Sequence, residues 1–299
     1  MLKVKKPFQF IASIYAAVSI SFWGISFVST KAVLSQLDPF TLLVVRFGIA
    51  AVFLLFLLLL LRHPLKMSLS QMPAVFILAV LGIFVHQIIQ ASALQSIGAS
   101  EAGWIISFSP IFTAVLAAFF LKERFTLFKA AGMTIAILGV LLITSYRQGG
   151  SIVFHVNFGY ILMILSTLNW AVYSILIKKL AIPYSALTVT FYTSFFGFLM
   201  TLPFFIRGEG WRQLSVLTGE NWTHLMFLGI FVSAVAYWFW GKALEVMEAT
   251  KVSSFLYFEP LATVIAAVLL LNEPVLLASG AGGMLIIVGV MLVNFKRKG

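Results

Sequence analysis

The chain has 299 residues, 62% of them hydrophobic and only 10% charged, with a mean hydropathy of +1.08. Apolar surface in that proportion exceeds what the polar residues could cover, which excludes a water-soluble globule. The net charge of +11 would suit nucleic acid, but the basic residues gather in short loops between apolar runs, and the absence of cysteine excludes disulfides and thiolate metal sites.

Ten apolar segments fall at 9–34, 40–61, 73–93, 99–121, 127–145, 158–180, 185–206, 222–243, 249–271 and 275–295. Each is long enough to cross a hydrocarbon core at about 1.5 Å per residue. None alternates with period two, so helices are expected rather than barrel strands. Lys3, Lys5 and Lys6 before the first run suggest a signal sequence, yet the run is too long, and it is read as a retained span. With the N-terminus inside, 15 of the 20 Lys and Arg face inward and 4 outward, Arg46 lying within a span. That bias places both termini in the cytoplasm of a multi-pass protein of the cell membrane.

The second half of the chain repeats the first. Residues 93–143 align without a gap onto 243–293, about a third of them identical. Ala93–Leu94, Pro110, Glu123, Gly132 and Gly139 coincide with Ala243–Leu244, Pro260, Glu273, Gly282 and Gly289. Ser19, Trp23 and Lys31 match Ser166, Trp170 and Lys178 at an offset of 147. Each half, 1–150 and 151–299, therefore carries five helices. An odd number turns the second half upside down in the membrane, so the expected fold is all-α, ten transmembrane helices in two inverted five-helix repeats.

Phe22-Trp23-Gly24, the stretch Pro39 to Arg46, the duplicated Ala–Leu pairs, Pro110 with Leu121-Lys122-Glu123, Pro260 with Glu273, and the paired glycines together resemble the drug/metabolite transporter superfamily, specifically its EamA-type exporters. The resemblance covers nearly the whole chain. It implies a central cavity lined by helices 1, 3, 4, 6, 8 and 9, with helices 5 and 10 to one side.

Polar residues at membrane depth face protein or a water-filled cavity, and helical spacing says which share a face. On the first span Ser19, Trp23, Ser26 and Thr30 form one stripe, repeated on the sixth by Ser166, Trp170 and Tyr173 with Asn169 adjacent. The two tryptophans sit near mid-span, where they either line a cavity or pack helices tightly. His86, Gln87 and Gln90 form a face on the third span; Ser233, Tyr237 and Trp240 form one on the eighth. They bind substrate or only hydrogen-bond between helices. Glu259 is the one carboxylate near a span centre; its functional roles would be proton coupling or binding a substrate ammonium, against an interhelical bond. Pro110 and Pro260 loosen their helices. Arg46, for which Asp38 or another helix is the expected counter-charge, is assigned to structure. Glu123 and Glu273 suit gating or packing.

The leading function is secondary transport of small metabolites, amino acids or related amphipathic compounds, by alternating access around a midplane cavity; export is what the resemblance implies. A phosphorylated-sugar or nucleotide-sugar exchanger would need more basic groups at depth than Arg46. A membrane enzyme would show clustered acids, histidines or basic residues at one interface, and a scaffold would not need polar stripes in both halves. The expected partners are a small-molecule substrate and the lipid bilayer, with no cofactor, metal or nucleic acid. Nothing in the sequence sets the oligomeric state.

Overall fold

The computed structural model describes residues 6–97, 99–147, 158–262 and 277–294, and every regular element among them is helical. In chain order these are α1 (Lys6–Val33), α2 (Pro39–Leu60), α3 (Met72–Ser96), α4 (Ala99–Ile106), α5 (Ser109–Phe120), α6 (Leu127–Arg147), α7 (Phe158–Leu180), α8 (Ala186–Arg207), the short α9 (Gly210–Ser215), α10 (Gly219–Val246), α11 (Ala249–Ser253) and α12 (Leu277–Asn294). Six helices, or their apolar parts, are long and apolar enough to cross a membrane: Phe8–Val33 of α1, α2, α3, α7, α8 and α10.

Where helices begin is written locally. Asp38 caps α2 by accepting from the Phe40 and Thr41 amides at 2.8 and 3.1 Å, with Pro39 in the first turn. Ser185 and Thr218 cap α8 and α10 in the same way. Lysines of the duplicated stripe close helix ends: Lys31 Nζ donates to the Ile97 carbonyl at 2.6 Å, and Lys178 Nζ to the carbonyls of Leu244 and Met247. A cation at a helix C-terminus satisfies orphan carbonyls and opposes the helix dipole.

The expected fourth span is not one continuous helix. It breaks at Ser107–Phe108, just before Pro110, into α4 and α5. The matching place before Pro260 is a 3₁₀ turn, Ser254–Phe258. A proline without an N–H, whose ring crowds the preceding turn, accounts for both. The expected ninth span is described only to residue 262, and Glu273 lies outside the described residues.

Helices α6 and α12 pack closely against each other, as α2 does on α8 and α3 on α7. The first contact depends on glycine. A Cβ on Gly132 would lie 2.6 Å from the Gly289 carbonyl oxygen, and one on Gly139 2.6 Å from that of Gly282. The pairing 132 with 289 and 139 with 282 means that the two helices run antiparallel.

Two stretches depart from α-helical geometry. Val80–Val85 within α3 and Leu228–Ala236 within α10 are wound as wider π-helical turns. They overlap under the 150-residue offset. Such turns displace carbonyls from the regular ladder and expose them to other donors.

Candidate functional site

The carbonyls of those wide turns accept side chains from α1, α7 and α10. Ser19 Oγ donates to Ala236 at 2.9 Å and Trp23 Nε1 to Val232 at 3.3 Å. Asn169 Nδ2 donates to Leu81 at 2.7 Å, and the Tyr237 hydroxyl to Gly82 at 3.1 Å. Ser166 Oγ donates to the His86 carbonyl at 3.1 Å, the counterpart of the Ser19 bond, and lies 2.8 Å from His86 Nδ1. Ser19, Trp23, Ser166, Asn169 and Tyr237 of the polar stripes are thus hydrogen-bonded to backbone. Trp170 breaks the correspondence with Trp23: its Nε1 is buried with no hydrogen-bond partner among the described residues.

Around these bonds the rings gather. Trp23 meets Trp170 edge-on at 4.9 Å, and lies 5.5 Å from Tyr237 and 5.2 Å from Trp240. Trp170 also packs on His86 at 4.9 Å and Tyr173 at 5.0 Å. The Tyr173 ring occupies the space a Cβ on Gly82 would need, so a glycine in the wide turn admits it. Edge-to-face pairs of this kind contribute about 0.5–1.5 kcal/mol each beyond their burial.

Arg46 is 2% exposed and donates through Nε to Ser233 and through Nη1 to Gln87 Oε1 at 2.9 Å. Gln87 Nε2 in turn donates to the Tyr237 hydroxyl at 2.7 Å. The expected neutralising acid is not there. Asp38 is occupied in capping α2, and no described carboxylate forms an ion pair with Arg46. Its guanidinium is held by neutral acceptors, which position it without discharging it.

Trp23, Arg46, His86, Gln87, Gln90, Trp170, Tyr237 and Glu259 line one small central cavity, with Ser26 beside them. Its volume, about 20 Å³, is room for about one water molecule. A metabolite would need the helices to separate. Asn169 and Trp240 belong to the surrounding cluster without lining the cavity, and Tyr173 lines a second one. That second cavity, about 480 Å³, lies between α7, α8 and α10; it includes Lys178, Ser185 and Glu245, and meets Tyr173 and Tyr237 at its inner end. Arg46, expected from the sequence in a structural pair, lines this cavity. Among the described residues no three His, Asp or Glu side chains gather as a metal would require.

Away from the cavity, Glu123 joins the two halves. Its Oε1 accepts from the Ala249 amide at 2.7 Å, and its Oε2 from the Thr250 amide at 3.2 Å and hydroxyl at 2.7 Å. Lys129 lies 3.9 Å from Glu123 and 2.9 Å from Glu248. Glu123 therefore caps α11 from a distant part of the chain, rather than the helix that follows it. Pro110 is buried at the first turn of α5, and Pro260 just after Glu259.

The model of the EamA-like transporter family matches the chain twice, over residues 10–145 and 157–295. An uncharacterized transporter of Archaeoglobus fulgidus is 31% identical over 287 residues, 95% of this chain and 99% of that protein. A probable terminal-alkyne amino-acid exporter of Streptantibioticus cattleyicolor is 26% identical, over 77% of this chain and 75% of its own. One crystal structure superposes with a TM-score of 0.78 over 97% of this chain and 96% of the other, at 21% identity, a likeness of fold.

Proposed function

The chain belongs to the EamA-like transporter family, and on that premise we propose that it is a secondary transporter that exports amino acids or related amphipathic metabolites by alternating access around the central cavity. The observation that carries this reading is the composition of the cavity wall. Trp23, Arg46, His86 and Gln87 come from residues 1–150, and Trp170, Tyr237 and Glu259 from residues 151–299. A site built from both halves changes shape whenever one half moves against the other. The proposed architecture is ten helices in two inverted repeats, 1–150 and 151–299, in the cell membrane with both termini cytoplasmic.

In this reading the rings of Trp23, Trp170 and Tyr237 supply apolar and cation–π surface. His86, Gln87 and Gln90 supply hydrogen bonds, and Glu259 binds a substrate ammonium or a coupled proton. Export is supported by the family resemblance and by the name of the Streptantibioticus relative. A single arginine suits one carboxylate better than a phosphate ester, which several cationic donors ordinarily share.

Proteoliposomes loaded with L-leucine test it. Efflux should exceed that from protein-free vesicles, and Trp23→Ala or Trp170→Ala should abolish the excess. Comparing flux with and without a pH gradient, in wild type and Glu259→Gln, tests proton coupling. If no amino acid moves and both tryptophan variants leave every cellular phenotype intact, the reading fails.

A further inference from the structure

We propose that Arg46 is the carboxylate-binding residue of the central site, and that the site therefore selects substrates bearing a free carboxylate. The inference rests on the transport reading above and gives it a substrate class. A guanidinium at membrane depth is costly unless an anion accompanies it. Here Ser233 and Gln87 fix two of its nitrogens with neutral oxygens, and no described acid forms an ion pair with it. The cation is oriented by neutral groups, with no ion pair to a described acid, while it lines the cavity into which a substrate would go.

A second donor points the same way. Trp170, 3% exposed, lines the same cavity, and its indole N–H has no acceptor among the described residues. Its counterpart Trp23 has one, in the Val232 carbonyl. An arginine and an unused indole N–H around one space make a donor-rich site, matched by an acceptor-only group such as a carboxylate. Glu259 in the same wall suits the ammonium of a zwitterion, so an α-amino acid presents both complementary charges at once. The rings would then face its side chain.

Thermal unfolding of the purified protein in detergent tests the assignment with four probes that share an isobutyl group: L-leucine, 4-methylpentanoate, L-leucinamide and 3-methylbutylamine. The two carboxylates should raise the melting temperature by about 2–4 °C, and the amide and amine should not. Arg46→Gln should abolish the shift, and Arg46→Lys, which keeps a cation, should retain part of it. An amide or amine that shifts the midpoint as far as its acid, an Arg46→Gln protein that keeps the shift, or a flat response to all four overturns the proposal. If Arg46→Gln does not fold, the acid-against-amide contrast in the wild type still decides. Failure of the transport reading looks different: leucine does not cross proteoliposomes, yet 4-methylpentanoate still stabilises the wild type and not Arg46→Gln.

Discussion

Gly132 and Gly289 meet backbone to backbone, each so close that a Cβ on it would lie 2.6 Å from the other's carbonyl oxygen. No side-chain rotation relieves a clash with backbone, so α6 and α12 would have to separate. Gly132→Val or Gly289→Val should destabilise the protein by about 1–3 kcal/mol. Gly219→Ala is the contrast: nothing lies within 4 Å of its Cβ position, and it should be neutral or stabilising by up to about 1 kcal/mol. Thermal unfolding in detergent compares them, and equal effects would contradict the packing argument.

Trp23 and Trp170 occupy equivalent positions but differ by one hydrogen bond. Both lose the same volume on replacement by Phe, whereas only Trp23→Phe leaves a carbonyl, that of Val232, without its donor. Trp23→Phe should therefore cost about 1–3 kcal/mol more than Trp170→Phe. If Trp170 is the more damaging loss to stability, its N–H has a structural partner and is not available for substrate.

The clamp made by Glu123 should be readable amide by amide. Glu123→Ala removes the acceptor of the Ala249 and Thr250 amides and of the Thr250 hydroxyl. The expected cost is about 1–3 kcal/mol, with Glu123→Gln intermediate because it keeps one carbonyl oxygen. Hydrogen exchange at Ala249 and Thr250 should accelerate, and unchanged protection there would remove Glu123 from the capping role.

Glu248, just beyond the end of α10, gives the pH dependence. Burial pushes its pKa up, but the hydrogen bond and charge of Lys129 and the charge of Lys251 outweigh that and hold it below the usual glutamate value. A carboxyl lowered on folding stabilises the protein above its unfolded pKa, and that contribution is lost as pH falls through the folded value. The melting-temperature gap between wild type and Glu248→Gln should thus be full at neutral pH and shrink as pH falls below about 4.3. A gap that stays constant into the acid range would mean that Lys129 does not stabilise the charged form.

Much of this was legible in the sequence. Hydropathy located the six long helices to within a few residues, because the cost of placing side chains in hydrocarbon is what a hydropathy window measures. The polar stripes on α1, α3, α7 and α10 also followed from helical spacing alone. Three features did not. The wide turns at Val80–Val85 and Leu228–Ala236 are a choice of backbone hydrogen bonds, to which side-chain hydropathy is blind. The break at Ser107–Phe108 was signalled by Pro110 but not its extent. Arg46 was expected to be neutralised by Asp38 or another helix; in the fold the Asp38 carboxylate faces the backbone of its own helix end.

The paired serine bonds have a bearing on how the chain can diverge. Ser19 reaches the carbonyl of Ala236, and its copy Ser166 reaches that of His86, the copy of Ala236. A contact in which each member's duplicate touches the other's duplicate is isologous, the form a two-fold dimer interface takes. In such a dimer one substitution alters two contacts at once, and neither can be tuned alone. Joining the halves in one polypeptide lifts that constraint. His86 carries an imidazole where its copy carries a methyl group while the backbone bond at both places is kept, so the side chains differ between the halves and the carbonyl contacts do not.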